Sequence, residues 1–374
     1  MSIATRRDFL FGGAAAAGAF CWRMPVLAGR GKAGRSYSVP VLGDIHFDST
    51  DPKFYHAAYT HSTSKNRYRS HLAEHVRNAE MWKDRMPRLV RSSAKCVRPD
   101  AVFALQMGDL VQGDCGNPVM HRRILDDVFT FVKGVYGEKL PFVAVAGNHD
   151  IRGAMKGDGA RGVLEKWLPE KMSKELRVPV GGTTFSFRQG PDVFIVVDFN
   201  DPNPDFPRLK RLIEDSDGAR YTFVVSHGPV IPNGYSRWFL YGKKKQDAKR
   251  RELRSLLAKR NAIVLSGHTH SLELYDCMFP EGRITQFVFN SVWSNPDLDK
   301  LKIHWDGAAA FGTPVIDSTA KVFKGLVAEY RPFVRDCFFA GIAGHYTLNV
   351  SDDQVAVEVY PGDATVPVRT FRLR

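Results

Sequence analysis

Aspartate, histidine and asparagine side chains recur in five short segments of this chain: Asp44-Ile-His46, Gly108-Asp109, Gly147-Asn148-His149-Asp150, Ser226-His227-Gly228 and Gly267-His268-Thr269-His270. Carboxylate, imidazole and amide oxygen are hard or borderline ligands. In combination they suit divalent ions such as Mn, Zn or Fe, and a shared carboxylate can hold two such ions while leaving positions open for water and substrate. A thiolate cage would close the site instead. The layout therefore predicts a two-metal centre. Taken singly, each piece has a blander reading: Gly-Asn-His-Asp is turn chemistry, and a lone histidine is most often a packing residue.

The elements that must carry these residues are legible independently. Each ligand group follows a short apolar run: Tyr37–Leu42 before Asp44, Ala101–Leu105 before Asp109, Pro141–Val145 before Asn148, Tyr221–Val225 before His227 and Ala262–Leu265 before His268. Such runs read as buried β-strands. In α/β sheets, ligands gather beyond the carboxyl ends of the strands, so five loops are expected to converge on one edge.

The ordered set resembles the calcineurin-like metallophosphoesterase superfamily, whose pattern is Asp-x-His, Gly-Asp, Gly-Asn-His-Asp/Glu, a lone His and Gly-His-x-His. The likeness spans residues 44 to 270. It implies an α/β fold, a four-layer α/β/β/α sandwich of two mixed sheets flanked by helices. It also implies hydrolysis of phosphate mono- or diesters by attack of metal-bound hydroxide. By resemblance, Asp44, His46, Asp109 and His270 would hold one ion, and Asp109, Asn148, His227 and His268 the other, with Asp109 bridging. His149 would be a proton donor or substrate-positioning group oriented by Asp150, and Arg152 is a candidate phosphate contact by proximity. One branch of the family places an aspartate three positions after the bridging aspartate, where this chain has Gln112. Purple acid phosphatases carry Asp-x-Gly in place of Asp44-Ile-His46, and a tyrosine where this chain has Leu110-Val-Gln112. A colourless Mn, Zn or Fe centre is therefore expected.

The amino terminus carries a second signal. Thr5-Arg6-Arg7-Asp8-Phe9-Leu10 precedes an Ala/Gly-rich apolar stretch and then Val26-Leu27-Ala28, which resembles a bacterial twin-arginine signal cleaved after residue 28. Arg23 and Pro25 interrupt the apolar run well before the roughly 20 residues that a membrane span requires. The expected partners are the twin-arginine translocation machinery and a phosphate-ester substrate. Residues 29–374 would form one periplasmic or secreted domain.

Cleavage lowers the formal charge from +13 to +11, a field that attracts anions without choosing among them. No nucleic-acid module is recognisable. A noncatalytic metal-dependent binder and a basic nucleic-acid-binding protein stand as alternatives. Retention of His149 favours the enzyme, because a binder needs no leaving-group proton donor. Cys96, Cys115, Cys277 and Cys337 allow three complete pairings, and their spacing selects none. A helix is expected over 69–95, bent or divided at Pro87, with Leu72, Val76, Ala79, Trp82, Met86 and Leu89 inward. Further helices are expected near 119–137, 206–215 and 245–259. A closing meander follows, with strands at His345–Val350 and Gln354–Tyr360 and another within Val366–Leu373. Walls of the substrate pocket are expected from 48–69, Gly228–Tyr241 and Asn290–Asp317.

Overall fold

The computed structural model describes residues 36–48, 65–115, 117–153, 160–200, 202–232, 239–295, 303–312 and 321–374. At its centre lie strands buried at every position: β1 (Tyr37–Leu42), β5 (Asp192–Val197), β6 (Thr222–Ser226) and β7 (Ile263–Ser266). Strands covered on both faces are largely apolar, and the few polar residues here, such as Ser38, Asp192 and Thr222, are buried with them.

Two mixed sheets result. In the first, β1, β2 (Ala104–Gln106) and β3 (Phe142–Ala144) run parallel. The antiparallel meander β12 (Gly344–Val350), β13 (Val355–Pro361) and β14 (Arg369–Arg372) extends it in the order β14-β13-β12-β1-β2-β3. The second runs β10-β11-β8-β9-β7-β6-β5-β4. Its remaining strands are β4 (Phe185–Gln189), β8 (Leu272–Phe279), β9 (Gly282–Val288), β10 (Ile303–Asp306) and β11 (Val334–Ala340).

The sheets meet face to face over a shared apolar core. Phe103 of the first layer lies 5.4 Å from the Phe187 ring and 5.1 Å from that of Phe194. Each fully buried ring of this kind contributes about 1.5–3 kcal/mol of transfer free energy. At the rim, the Tyr37 hydroxyl donates to Asp192 at 2.8 Å, and Arg220 pairs with the same carboxylate. Helices α1 (Lys65–Lys83), α2 (Arg85–Lys95), α3 (Pro118–Tyr136) and α4 (Ala160–Leu176) cover the first sheet. The outer face of the second is covered by α5 (Pro202–Glu214), α6 (Asp247–Lys259) and α7 (Lys321–Tyr330). The four-layer α/β/β/α sandwich is thus observed as one domain.

The helix expected over 69–95 is divided, though at Asp84 rather than at Pro87. Pro87 sits in the first turn of α2, where a missing N–H costs nothing because that donor has no intrahelical partner. Val76 is half exposed at 52%, while the polar His75 and Asn78 are buried. The inward stripe of α1 is therefore partly polar, and the reason lies in the site it backs. The twin-arginine segment and most of the 48–69 loop lie outside the described residues. Among the described residues no helix is long and apolar enough to cross a membrane.

Candidate metal centre

The loops after β1, β2, β3, β6 and β7 end at one edge of the sandwich, and each presents its motif there. Two groups of donors form. In the first, His46 Nε2 lies 3.0 Å from His270 Nε2, and His270 Nε2 lies 3.3 Å from Asp44 Oδ2. In the second, His227 Nε2 lies 3.1 Å from Asn148 Oδ1 and 3.0 Å from His268 Nδ1. Asp109 stands between them, with Oδ2 3.2 Å from His227 Nε2 and 3.7 Å from His46 Nε2. Asp44, His46, Asp109 and His227 are almost fully buried, and His270 is exposed.

These spacings suit cations better than protons. Metal–donor distances of about 2.0–2.2 Å place adjacent corners of a coordination shell roughly 3 Å apart, which is the separation seen within each group. Seven side chains bring lone pairs together here, and two dications would satisfy them where hydrogen bonds among acceptors cannot. The donor set fits a dinuclear centre of borderline ions.

Neighbouring groups fix which nitrogen faces inward. His227 Nδ1 lies 2.8 Å from the Met107 carbonyl and His46 Nδ1 lies 3.2 Å from Gln112 Oε1. Each acceptor holds the proton on Nδ1 and leaves Nε2 free to coordinate, the usual arrangement for a ligating histidine. Asp44 accepts the His268 backbone N–H through both oxygens at 3.0 Å. Burial pushes His46 and His268 well below the ordinary imidazole range. Burial alone would raise Asp109, but the facing His227 and His149 rings outweigh it and hold the carboxylate ionised.

The backbone stores strain here. Among the described residues, eight other than glycine have positive φ, and four of them are His46 (43°), Asp109 (52°), His268 (74°) and His270 (53°). Left-handed backbone at non-glycine residues costs of order 1–3 kcal/mol each and persists only where the surroundings over-determine it. Glycine fits the same logic at two positions. A Cβ on Gly147 would collide with the Asp109 amide and carboxylate, and one on Gly267 with the Asp44 carboxylate.

His149 lies beside the first group, its ring 4.6 Å from that of His46 and edge-on. Its Nδ1 lies 2.9 Å from the Gln112 carbonyl, and its backbone N–H donates to Asp109 Oδ1 at 2.7 Å. Burial depresses its pKa first, partly offset by Asp109. The expected orientation of His149 by Asp150 is not found. Asp150 accepts instead from the Val111 and Gly147 amides, at 3.0 and 2.8 Å. Two backbone donors satisfy that carboxylate, so it ties the β2 and β3 loops together. Burial followed by repulsion from Asp109 pushes its pKa up to about 7.

Arg152 reaches the same corner, with Nη1 3.5 Å from His149 Nε2. It is held from behind by Glu74 at 2.9 Å and Asp114 at 2.7 Å. Glu74 also accepts from Gln112 Nε2 at 3.0 Å, and Asn78 donates to Gln112 Oε1. Sequence reasoning missed Glu74 and Asn78. Their signal was four-residue spacing on the supposedly apolar face of α1.

The other expected walls differ. Asn290 and Ser291 are buried supports: Ser291 Oγ accepts from Gly43 N at 2.8 Å and donates to the Gly344 carbonyl at 2.7 Å, which steadies the approach to Asp44. Within Gly228–Tyr241, Val230 and Ile231 are buried on Gln286, while Asn233, Tyr235 and Trp238 lie outside the described residues. Phe199, unforeseen, packs its ring 5.1 Å from His268. Among the described residues, no disulfide joins any two of Cys96, Cys115, Cys277 and Cys337.

No curated protein matches the sequence. Among solved structures, the chain is similar to a purple acid phosphatase from yellow lupin (Lupinus luteus) seeds, with TM-score 0.54 and 11% identity over 92% of this chain. It is also similar to PhoD, with TM-score 0.50 and 12% identity over 90% of this chain and 68% of the other. This chain spans only 55% of the lupin chain, and identities this low speak for fold alone. The family model described as calcineurin-like phosphoesterase matches residues 38–272, well over half of the chain and all seven donors. The chain belongs to the calcineurin-like phosphoesterase family.

Proposed function

We propose that this protein is an exported phosphoesterase that hydrolyses phosphate mono- or diesters at a dinuclear metal centre. The observation that carries this reading is the position of Asp109, one carboxylate within 3.7 Å of both imidazole groups. Asp44, His46 and His270 would hold one ion, Asn148, His227 and His268 the other, and Asp109 both. Two divalent ions, when bound, supply Lewis-acid activation of water and charge neutralisation at phosphorus.

The chain's own residues do the rest. The Gln112 carbonyl fixes His149 so that Nε2 faces the site. When His149 is protonated, the proton on Nε2 passes to the leaving oxygen as its bond to phosphorus breaks, which leaves the ring neutral with its other proton on Nδ1 toward the Gln112 carbonyl. Arg152, held by Glu74 and Asp114, keeps a guanidinium beside the proton donor, where a phosphoryl oxygen can accept from it.

The reading predicts that His149→Ala keeps both metals and loses about 10²–10⁴-fold in turnover, the range of a positioned acid-base group. Poor alkoxide leaving groups should suffer most and nitrophenolate least. An undiminished rate with alkyl esters would refute the assigned role.

A further inference from the structure

Thr269 lies between the two histidines of the last motif, and its side chain turns away from the site. Its hydroxyl donates to Glu273 Oε1 at 2.7 Å. Ser271 Oγ donates to the same oxygen at 2.5 Å and lies 2.9 Å from Thr269 Oγ1. The three groups form a closed knot beneath the turn. Glu273 is fully buried at 0% exposure, and Ser271 and Thr269 are at 3% and 8%. Tyr275, two residues further along β8, is pushed well above the ordinary phenol range by burial and then by the charge of Glu273.

A carboxylate with no access to water is costly unless it is well bonded. The strand signal explains nothing about it, because Leu272, Leu274 and Phe279 would pack as well with an apolar neighbour at 273. The turn above it explains more. His268 and His270 both have left-handed backbone, with φ of 74° and 53°. They send Nδ1 and Nε2 to opposite donor groups across a single intervening residue. Once the Thr269 hydroxyl is fixed, both strained neighbours are fixed with it.

We propose that Glu273 is a positioning residue for both metal ions at once, acting through Thr269 to set the separation and aim of His268 and His270. This rests on the reading of those histidines as ligands. A buried partner one step removed from a ligand typically governs metal affinity by about 10–100-fold. Because one knot serves one turn, its loss should weaken both ions together.

The test is titration of the metal-free full chain with Mn²⁺, read as bound equivalents and affinities by calorimetry. The variants are Thr269→Val, Glu273→Gln and Glu273→Ala, with His268→Ala and His270→Ala as references. Thr269→Val, which keeps shape and removes only the hydroxyl, should weaken both binding steps by at least about 10-fold. Glu273→Gln retains an oxygen that can accept from both hydroxyls and should stay within a few-fold of wild type. Glu273→Ala should resemble Thr269→Val. If Glu273→Ala does not fold, Thr269→Val and Glu273→Gln decide the matter. Unchanged affinities in Thr269→Val, with both histidine variants impaired, would overturn the role of Glu273 and leave the metal centre standing. Unimpaired histidine variants would overturn the ligand assignment itself, and this proposal with it.

Discussion

Gln112 serves two neighbours through two different groups: its side-chain oxygen faces His46 and its backbone carbonyl holds His149. Substitution can separate them. In Gln112→Ala the ion held by Asp44, His46 and His270 should bind about 10–100-fold more weakly, because His46 loses the acceptor that fixes its tautomer. The leaving-group dependence should stay as in wild type, because the carbonyl remains. Stepwise metal titration and a leaving-group series read the two effects, and equal weakening of both ions would contradict the division. The clustering of Asp44, His46, Asp109, Asn148, His227, His268 and His270 was legible in the sequence because a metal centre would demand particular side chains in a particular order. The holder of His149 was not, because any residue supplies a carbonyl. Asp150 misled for a related reason: a carboxylate next to a histidine in sequence is bonded to whatever donors the fold brings, here two backbone amides.

Strands β1, β6 and β7 could be read from apolar runs, and the C-terminal meander from alternation. Helix α4 and the strands from β8 to β11 were harder. Leu272–Phe279 places Glu273 and Asp276 in a strand whose polar residues answer to the site and to Arg283 rather than to solvent. Asp84 divides α1 from α2 three residues before the proline that signals the break, because Pro87 fits the first turn of α2. Within the meander, His345 of β12 stacks on Tyr360 of β13 at 4.9 Å, and its Nε2 donates to the Ala364 carbonyl at 2.8 Å. Its Nδ1 has no hydrogen-bond partner among the described residues. Burial pushes its pKa down to about 4. The unfolded chain binds this proton near pH 6.5 and the folded chain only near pH 4, so the contribution is complete above 6.5 and is lost as pH falls toward 4. The loss is of order 3 kcal/mol at most. Denaturant midpoints from pH 7.5 to 4.5 should therefore fall less steeply in His345→Gln than in wild type. Parallel slopes would show that His345 does not contribute.

At the scale of the whole molecule, the first sheet and the second each deliver part of one centre. Asp44, His46, Asp109 and Asn148 follow β1 to β3, while His227, His268 and His270 follow β6 and β7. Assembly of the centre therefore requires the sandwich to be closed, with the Phe103, Phe187 and Phe194 contact buried. This suits the proposed twin-arginine route, which carries folded proteins and lets the site load before export. Arg6→Lys with Arg7→Lys should hold the precursor in the cytoplasm, because the pair is read as an address rather than as charge. Fractionation that finds mature protein outside the inner membrane at normal yield would point to another signal.

The central claim is that one carboxylate joins two metal sites built from both sheets, and counting metals per chain tests it most directly. Elemental analysis of the purified full chain should find two divalent ions in wild type. In Asp109→Asn both should be depleted and phosphoesterase turnover lost with them, because a neutral amide cannot balance two dications. A wild-type chain that saturates at one ion, or an Asp109→Asn chain that keeps two ions and normal turnover, would contradict it.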